Sequence, residues 1–96
     1  MKFEFLMILE HHELLALSGA DVHQWLEQKL DGKVDGISEI KVTVQKCGKG
    51  YMTMQYLFEV INERVISEQT MKAWLSDPPP YFRIRTVQEF NGDAGE

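Results

Sequence analysis

Residues 40–58 read IKVTVQKCGKGYMTMQYLF, and the pattern of this stretch decides the fold. Ile40, Val42 and Val44 alternate with Lys41, Thr43 and Gln45. After the turn, Met52, Met54, Tyr56 and Phe58 alternate with Thr53, Gln55 and Leu57. Period-two alternation on both sides of a glycine-containing turn signals a β-hairpin. Loop length sets the register. A two-residue loop at Gly48-Lys49 puts Val44 opposite Thr53 and mixes a core position with a wet one. A three-residue loop, Gly48-Lys49-Gly50, puts Val44 opposite Met54, Val42 opposite Tyr56 and Ile40 opposite Phe58. Cross-strand partners share a face of the sheet, so the three-residue loop is the one that keeps every pair apolar. Such loops favour a left-handed residue at their third position, and Gly50 supplies it.

The same stretch holds the single cysteine, Cys47. A nucleophilic thiol needs a lowered pKa and a base or helix N-terminus beside it. Lys46 and Lys49 flank Cys47, but no helix starts here and no histidine is near in sequence. The Gly-Lys-Gly triplet lacks the longer glycine loop and the Lys-Ser/Thr pair of a phosphate-binding loop. The stretch therefore reads as a turn and not as a reactive site.

Upstream, residues 3–9 carry Phe3, Phe5, Met7 and Leu9 on one side and Leu6 and Ile8 on the other. A strand that is apolar on both sides belongs in the middle of a sheet. Residues 10–17 form an ambiguous connection. A helix follows: Ser18 and Asp21 have capping-box spacing, Leu17 and Val22 form a hydrophobic staple, and Gly32 is a left-handed stop. Its buried face is Val22, Trp25, Leu26 and Leu30. Downstream of the hairpin, Ser67 caps a second helix stapled by Ile66 and Met71, with Met71, Trp74 and Leu75 as its buried face. Three prolines at 78–80 end it. A last strand runs through YFRIRTVQEF at 81–90, and 91–96 form a loose tail.

The segments LSGADVHQWL at 17–26 and ISEQTMKAWL at 66–75 repeat the staple, cap and Trp-Leu pair at the same offsets. Caps and amphipathic helices draw on a small alphabet, so chance can account for this echo, and the element order does not rest on it. That order, β-α-β-β-α-β, resembles the ferredoxin-like α+β arrangement, a four-stranded antiparallel sheet with two helices on one face. There the first and third strands are central, as their two-sided apolar pattern requires. The likeness is to a fold and points to no family.

The chain has 96 residues and a formal net charge of −5, consistent with one α+β domain over 1–90. An acidic balance lacks the basic footprint of a nucleic-acid binder, so no nucleic-acid partner is expected. No apolar run approaches the ~18 residues of a membrane span, and MKFEFLMILEHHE has no leader-like cleavage site. One cysteine forms no internal disulfide. A reducing, cytoplasmic setting is the expectation.

No motif for catalysis, metal or cofactor stands out, and none of the three is expected. Adjacent His11 and His12 point apart on regular backbone and lack a convergent partner set; His23 is placed on the wet face of the first helix. Trp25 and Trp74 sit at core offsets. The remaining candidate is the open face of the sheet, where Leu6, Ile8, Leu57 and Ile61 would stand among Lys41, Thr43, Gln55, Arg83 and Arg85. RNA-recognition domains place aromatic residues on this face; here those positions are aliphatic or polar. An apolar patch with a charged rim fits a protein interface. Arg83 and Arg85, two apart on a strand, share a face and could grip a phosphate, a carboxylate or an acidic partner. The leading expectation is a non-enzymatic protein-binding module that uses Leu6, Ile8, Lys41, Leu57, Arg83 and Arg85, self-association included. Two alternatives stand beside it. One is a small acidic inhibitor from a phage or mobile element, favoured if Asp21, Glu27, Asp31 and Asp35 form one stripe. The other is a small enzyme with a cleft between helices and sheet, drawing on Tyr56, His11 or His12.

Overall fold

The computed structural model describes residues 1–12, 19–46, 48, 50–78 and 82–90. It shows an α+β fold in the order β1 (Lys2–His12), α1 (Gly19–Leu30), β2 (Gly36–Lys46), β3 (Tyr51–Ile61), α2 (Glu68–Trp74) and β4 (Phe82–Glu89). The four strands form one sheet in the order β2-β3-β1-β4, and every neighbouring pair is antiparallel. β1 continues through His12, so the first residues of the ambiguous connection are strand; residues 13–18, including the expected cap Ser18, lie outside the described residues. So do Cys47, Lys49 and the tail at 91–96.

β1 and β3 form the centre. Their ladder runs without a break from Lys2↔Ile61 to His12↔Tyr51. Phe5, Met7 and Leu9 face the same side as their partners Phe58, Tyr56 and Met54, and all six are fully buried. Val22, Leu26 and Leu30 of α1 join this cluster, together with Met71 of α2 and Leu75 just beyond it. Trp25 and Trp74 pack on it half-buried. The matching offsets of Val22, Trp25 and Leu26 with Met71, Trp74 and Leu75 are thus matching packing positions. Ser67 caps α2, its hydroxyl accepting from the Thr70 amide at 3.1 Å. Ile66 and Met71, the staple pair, are both buried.

The hairpin register agrees with the sequence at Val44↔Met54 and Val42↔Tyr56. It departs at Ile40. A bulge between Glu39 and Lys41 leaves Ile40 unpaired and sets Glu39 opposite Phe58. The gain is one pair further on, where Ile37 meets Val60 and packs on the core, while Ile40 is 45% exposed. An unbroken register would have placed Ser38 there. The bulge also sets Glu39 on the helix side, whereas continuing the alternation of Lys41, Thr43 and Gln45 would put it on the wet face. A second bulge lies in β4. Ile84 pairs with Leu9 and Thr86 with Ile8, so Arg85 is the extra residue. Phe82, Ile84 and Val87 differ in parity, and one inserted residue lets all three face the core. Both bulges sit on edge strands, where they also discourage edge-to-edge pairing.

Gly50 has φ +81°, in the left-handed region, as the three-residue loop requires. A Cβ there would make only ordinary contact, 3.7 Å from His12 Nε2. Gly50→Ala should therefore lose stability through backbone strain alone, about 1–2 kcal/mol. Urea unfolding checks this, and the m-value should not change.

Candidate functional site

Two surfaces gather polar side chains at places the topology fixes: the cleft between α1 and β2, and the open face of the sheet.

The cleft is built around Tyr56. This residue sits on central strand β3 with no exposed surface, so its hydroxyl needs a partner inside the protein. His23, four residues into α1, supplies it through Nδ1. The other ring nitrogen, Nε2, lies 3.1 Å from Glu27 Oε1, one helical turn along. Glu27 can only accept, so in the neutral ring Nε2 carries the proton, Nδ1 accepts, and the Tyr56 hydroxyl donates. Burial, and then the Glu39 and Glu27 carboxylates, push Tyr56 well above its ordinary pKa of 10.0. The groove outside this array measures about 490 Å³ and is lined by Ala20, His23, Gln24, Glu27, Ile37, Ser38 and Glu39.

This corrects the sequence reading of His23. It is not on a wet face; it holds a buried hydroxyl. The reading missed it because Gln24 and Glu27 beside it are polar and Tyr56 is 33 residues away in sequence. Neither His11 nor His12 joins Tyr56. His11 lies opposite Met52, two rungs up the same face of the ladder from the Met7↔Tyr56 pair, and is buried against the Phe82 ring. Its Nδ1 pairs with the His12 carbonyl at 3.0 Å. Tyr56 thus borders the cleft between α1 and β2, apart from His11 and His12. The array keeps Tyr56 away from solvent and engages both His23 nitrogens. Of the acidic residues, Glu27 holds His23 and Asp35 accepts from the Glu63 amide at 3.1 Å. Among the described residues, no group of three or more His, Cys, Asp and Glu is placed to hold a metal ion.

The open face carries the even-numbered residues of β1 and the odd-numbered residues of β3. Leu6 pairs with Leu57, Ile8 with Gln55 and Glu10 with Thr53. Lys41 and Thr43 flank them on β2, and Gln88, Thr86 and Arg83 on β4. Leu6, Ile8 and Leu57 are half-buried and stand outside the core cluster formed by the described residues. A concavity of about 230 Å³ is lined by Leu6, Lys41, Thr43, Gln55, Leu57 and Phe90. Phe90 was read only as the end of the last strand; its amide bonds the Glu4 carbonyl at 2.9 Å, which turns it into a wall of this concavity. Ile61, also expected here, lies at the strand end opposite Lys2 and Gly36. At the far end, Glu10, Arg83, Ile84 and Arg85 line an open, polar hollow of about 410 Å³. The sequence-predicted residues thus lie on one surface: Leu6, Lys41 and Leu57 around one concavity, Arg83 and Arg85 around the other, and Ile8 between them.

Two outcomes follow for the cleft. The unfolded chain releases the Tyr56 proton near pH 10, whereas the folded chain retains it above that pH. The unfolded state then binds fewer protons, so this contribution to stability is complete below pH 10 and falls as pH rises above it. Tyr56→Phe should flatten the alkaline limb of a pH–stability profile measured by urea unfolding. His23→Ala should cost about 1–3 kcal/mol by stranding the hydroxyl. In the Tyr56→Phe background its cost should shrink, and a double-mutant cycle reads the difference.

Among the described residues no helix is long and apolar enough to cross a membrane. No protein-family model and no curated protein matches the chain, so its functional reading rests on these two surfaces.

Proposed function

We propose that the chain is a small, non-enzymatic protein-binding module of ferredoxin-like architecture, working in the cytoplasm and associating through the open face of its sheet. The strand order β2-β3-β1-β4, antiparallel throughout, and the helix residues gathered in one core cluster support the architecture. The observation that carries the function is the face itself. Leu6, Ile8 and Leu57 stand half-exposed on the two central strands beside a concavity walled by Phe90. Solvating them there costs hydrophobic free energy that a partner would recover, about 25 cal/mol per Å² covered. Four strands at ~4.8 Å spacing give a face of roughly 600 Å² per copy, or about 1,200 Å² buried with a partner, the lower end of specific interfaces. A second copy of the chain is one occupant this reading admits.

Leu57→Asp should leave the chain folded and weaken association about 100-fold or more, because the carboxylate would be buried without a partner. Gln28→Asp, on the exposed side of α1, serves as the control. Immobilised wild type and Gln28→Asp should retain the same protein from an extract of the source cell, and Leu57→Asp should lose it. Sedimentation equilibrium of the chain alone reads self-association, which Leu6→Asp and Leu57→Asp should both abolish. Retention or self-association that survives Leu57→Asp would move the interface off this face.

A further inference from the structure

Arg83 and Arg85 line one hollow with a single carboxylate, Glu10. Arg83 lies directly opposite Glu10, and the bulge in β4 turns Arg85 toward the same residue, its guanidinium 3.9 Å from Glu10 Oε2. Arg83 makes no ion pair among the described residues. Two guanidinium groups facing one carboxylate leave a local positive charge on a chain whose net charge is −5. Both arginines are exposed; the unpaired Arg83 can take a carboxylate in bidentate fashion, and Arg85 can add to it from its place beside Glu10. The position matters as much as the charge. The Ile8↔Thr86 pair lies two residues from the Glu10↔Arg83 pair, roughly 7 Å along the strands, and the Leu6↔Leu57 pair lies roughly 14 Å away. An extended chain advances about 3.3–3.6 Å per residue. A segment with a carboxylate two to four residues from an apolar side chain therefore spans both concavities.

We infer that the partner of the open face presents an acidic peptide segment, its apolar residue over Ile8 and the Leu6–Leu57 concavity and its carboxylate between Arg83 and Arg85. This rests on the open-face reading and adds the chemistry of the partner to it. The hollow at the arginines is polar and open, so the carboxylate contributes selectivity and encounter rate while the apolar anchor contributes most of the affinity.

The test is an amide chemical-shift titration of the labelled chain with three probes: a capped hexapeptide of two leucines, two serines and two aspartates in that order, the same peptide with asparagines in place of the aspartates, and octanoate. The aspartate peptide should shift Ile8, Leu57, Arg83 and Arg85. Arg83→Ala and Arg85→Ala should each weaken it about twofold to fivefold at low salt, and the asparagine peptide should be weaker by a similar factor. Added salt should erase both differences. Equal binding of the two peptides on this face overturns the carboxylate claim and leaves the open-face reading standing. Shifts confined to the helices overturn both. Octanoate binding without peptide binding assigns the site to a free acid and overturns the peptide. Shifts at Ile8 and Leu57 that grow with protein concentration alone assign the face to a second copy. A face silent to every probe overturns the peptide inference; in that case, loss of extract binding in Leu57→Asp still separates it from failure of the open-face reading.

Discussion

The β1–β3 ladder sets the position of everything else in the molecule. It pairs two strands of eleven residues without interruption. Both strands carry apolar residues on both sides, which makes their register doubly constrained. One side sets Phe5, Met7 and Leu9 against Phe58, Tyr56 and Met54 beneath the helices. The other sets Leu6 against Leu57 in the open. A slip of one residue would exchange the two sides and expose the aromatic core. The ladder therefore fixes which residues the helices bury and which the face presents.

The edge strands are regular only as far as this centre allows. β2 and β4 each insert one residue, Ile40 and Arg85, so that Ile37 in one and Val87 in the other reach the core side. Each bulge also has a chemical result. In β2 it turns Glu39 toward α1, where its charge joins burial in keeping the Tyr56 hydroxyl protonated. In β4 it turns Arg85 toward Glu10 beside Arg83. One bulge thus adds a charge beside the Tyr56 array and the other helps build the arginine cluster, as is common for bulges near sites. The two clusters differ in character. The Tyr56–His23–Glu27 array is closed and satisfies its own groups, whereas the arginine hollow is open and carries more positive charge than it neutralises.

This division explains what could be read from the residues. The central strands, the helices and the Val44–Met54 register were legible because period-two and helical spacings report burial directly. Ile40 was misplaced because the alternation of β2 looks unbroken from Ile40 to Val44, and the core-facing role of Ile37 appears only when the partner Val60 is known. In β4 a signal did exist: Phe82, Ile84 and Val87 cannot share a side on a regular strand. His23 could not be read, because its role depends on a tertiary hydrogen bond to a tyrosine on another element. The open-face residues Leu6, Ile8, Lys41 and Leu57 were legible for the same reason as the core. Phe90 was not, since its place depends on how the chain leaves β4.

The composition of the open face bears on how it would bind. Its apolar centre is small and interrupted: Gln55 and Thr43 stand between Leu57 and the arginine end, and the buried Thr53 lies opposite Glu10. Permanent interfaces resemble a domain core cut in half and are more apolar than this. A face of leucines alone would have tied the chain to one partner or to aggregates. Interleaved threonine and glutamine keep the uncovered face compatible with water, at the cost of affinity. In the proposed association the arginine end would recover part of that affinity only for a partner of opposite charge, because like charges would repel a basic segment. Discrimination by sign is what such a wet interface can achieve without a deep pocket. The same physics would make the proposed association short-lived and salt-sensitive, because exposed charge pairs contribute little once screened. A module built this way would exchange partners instead of locking onto one.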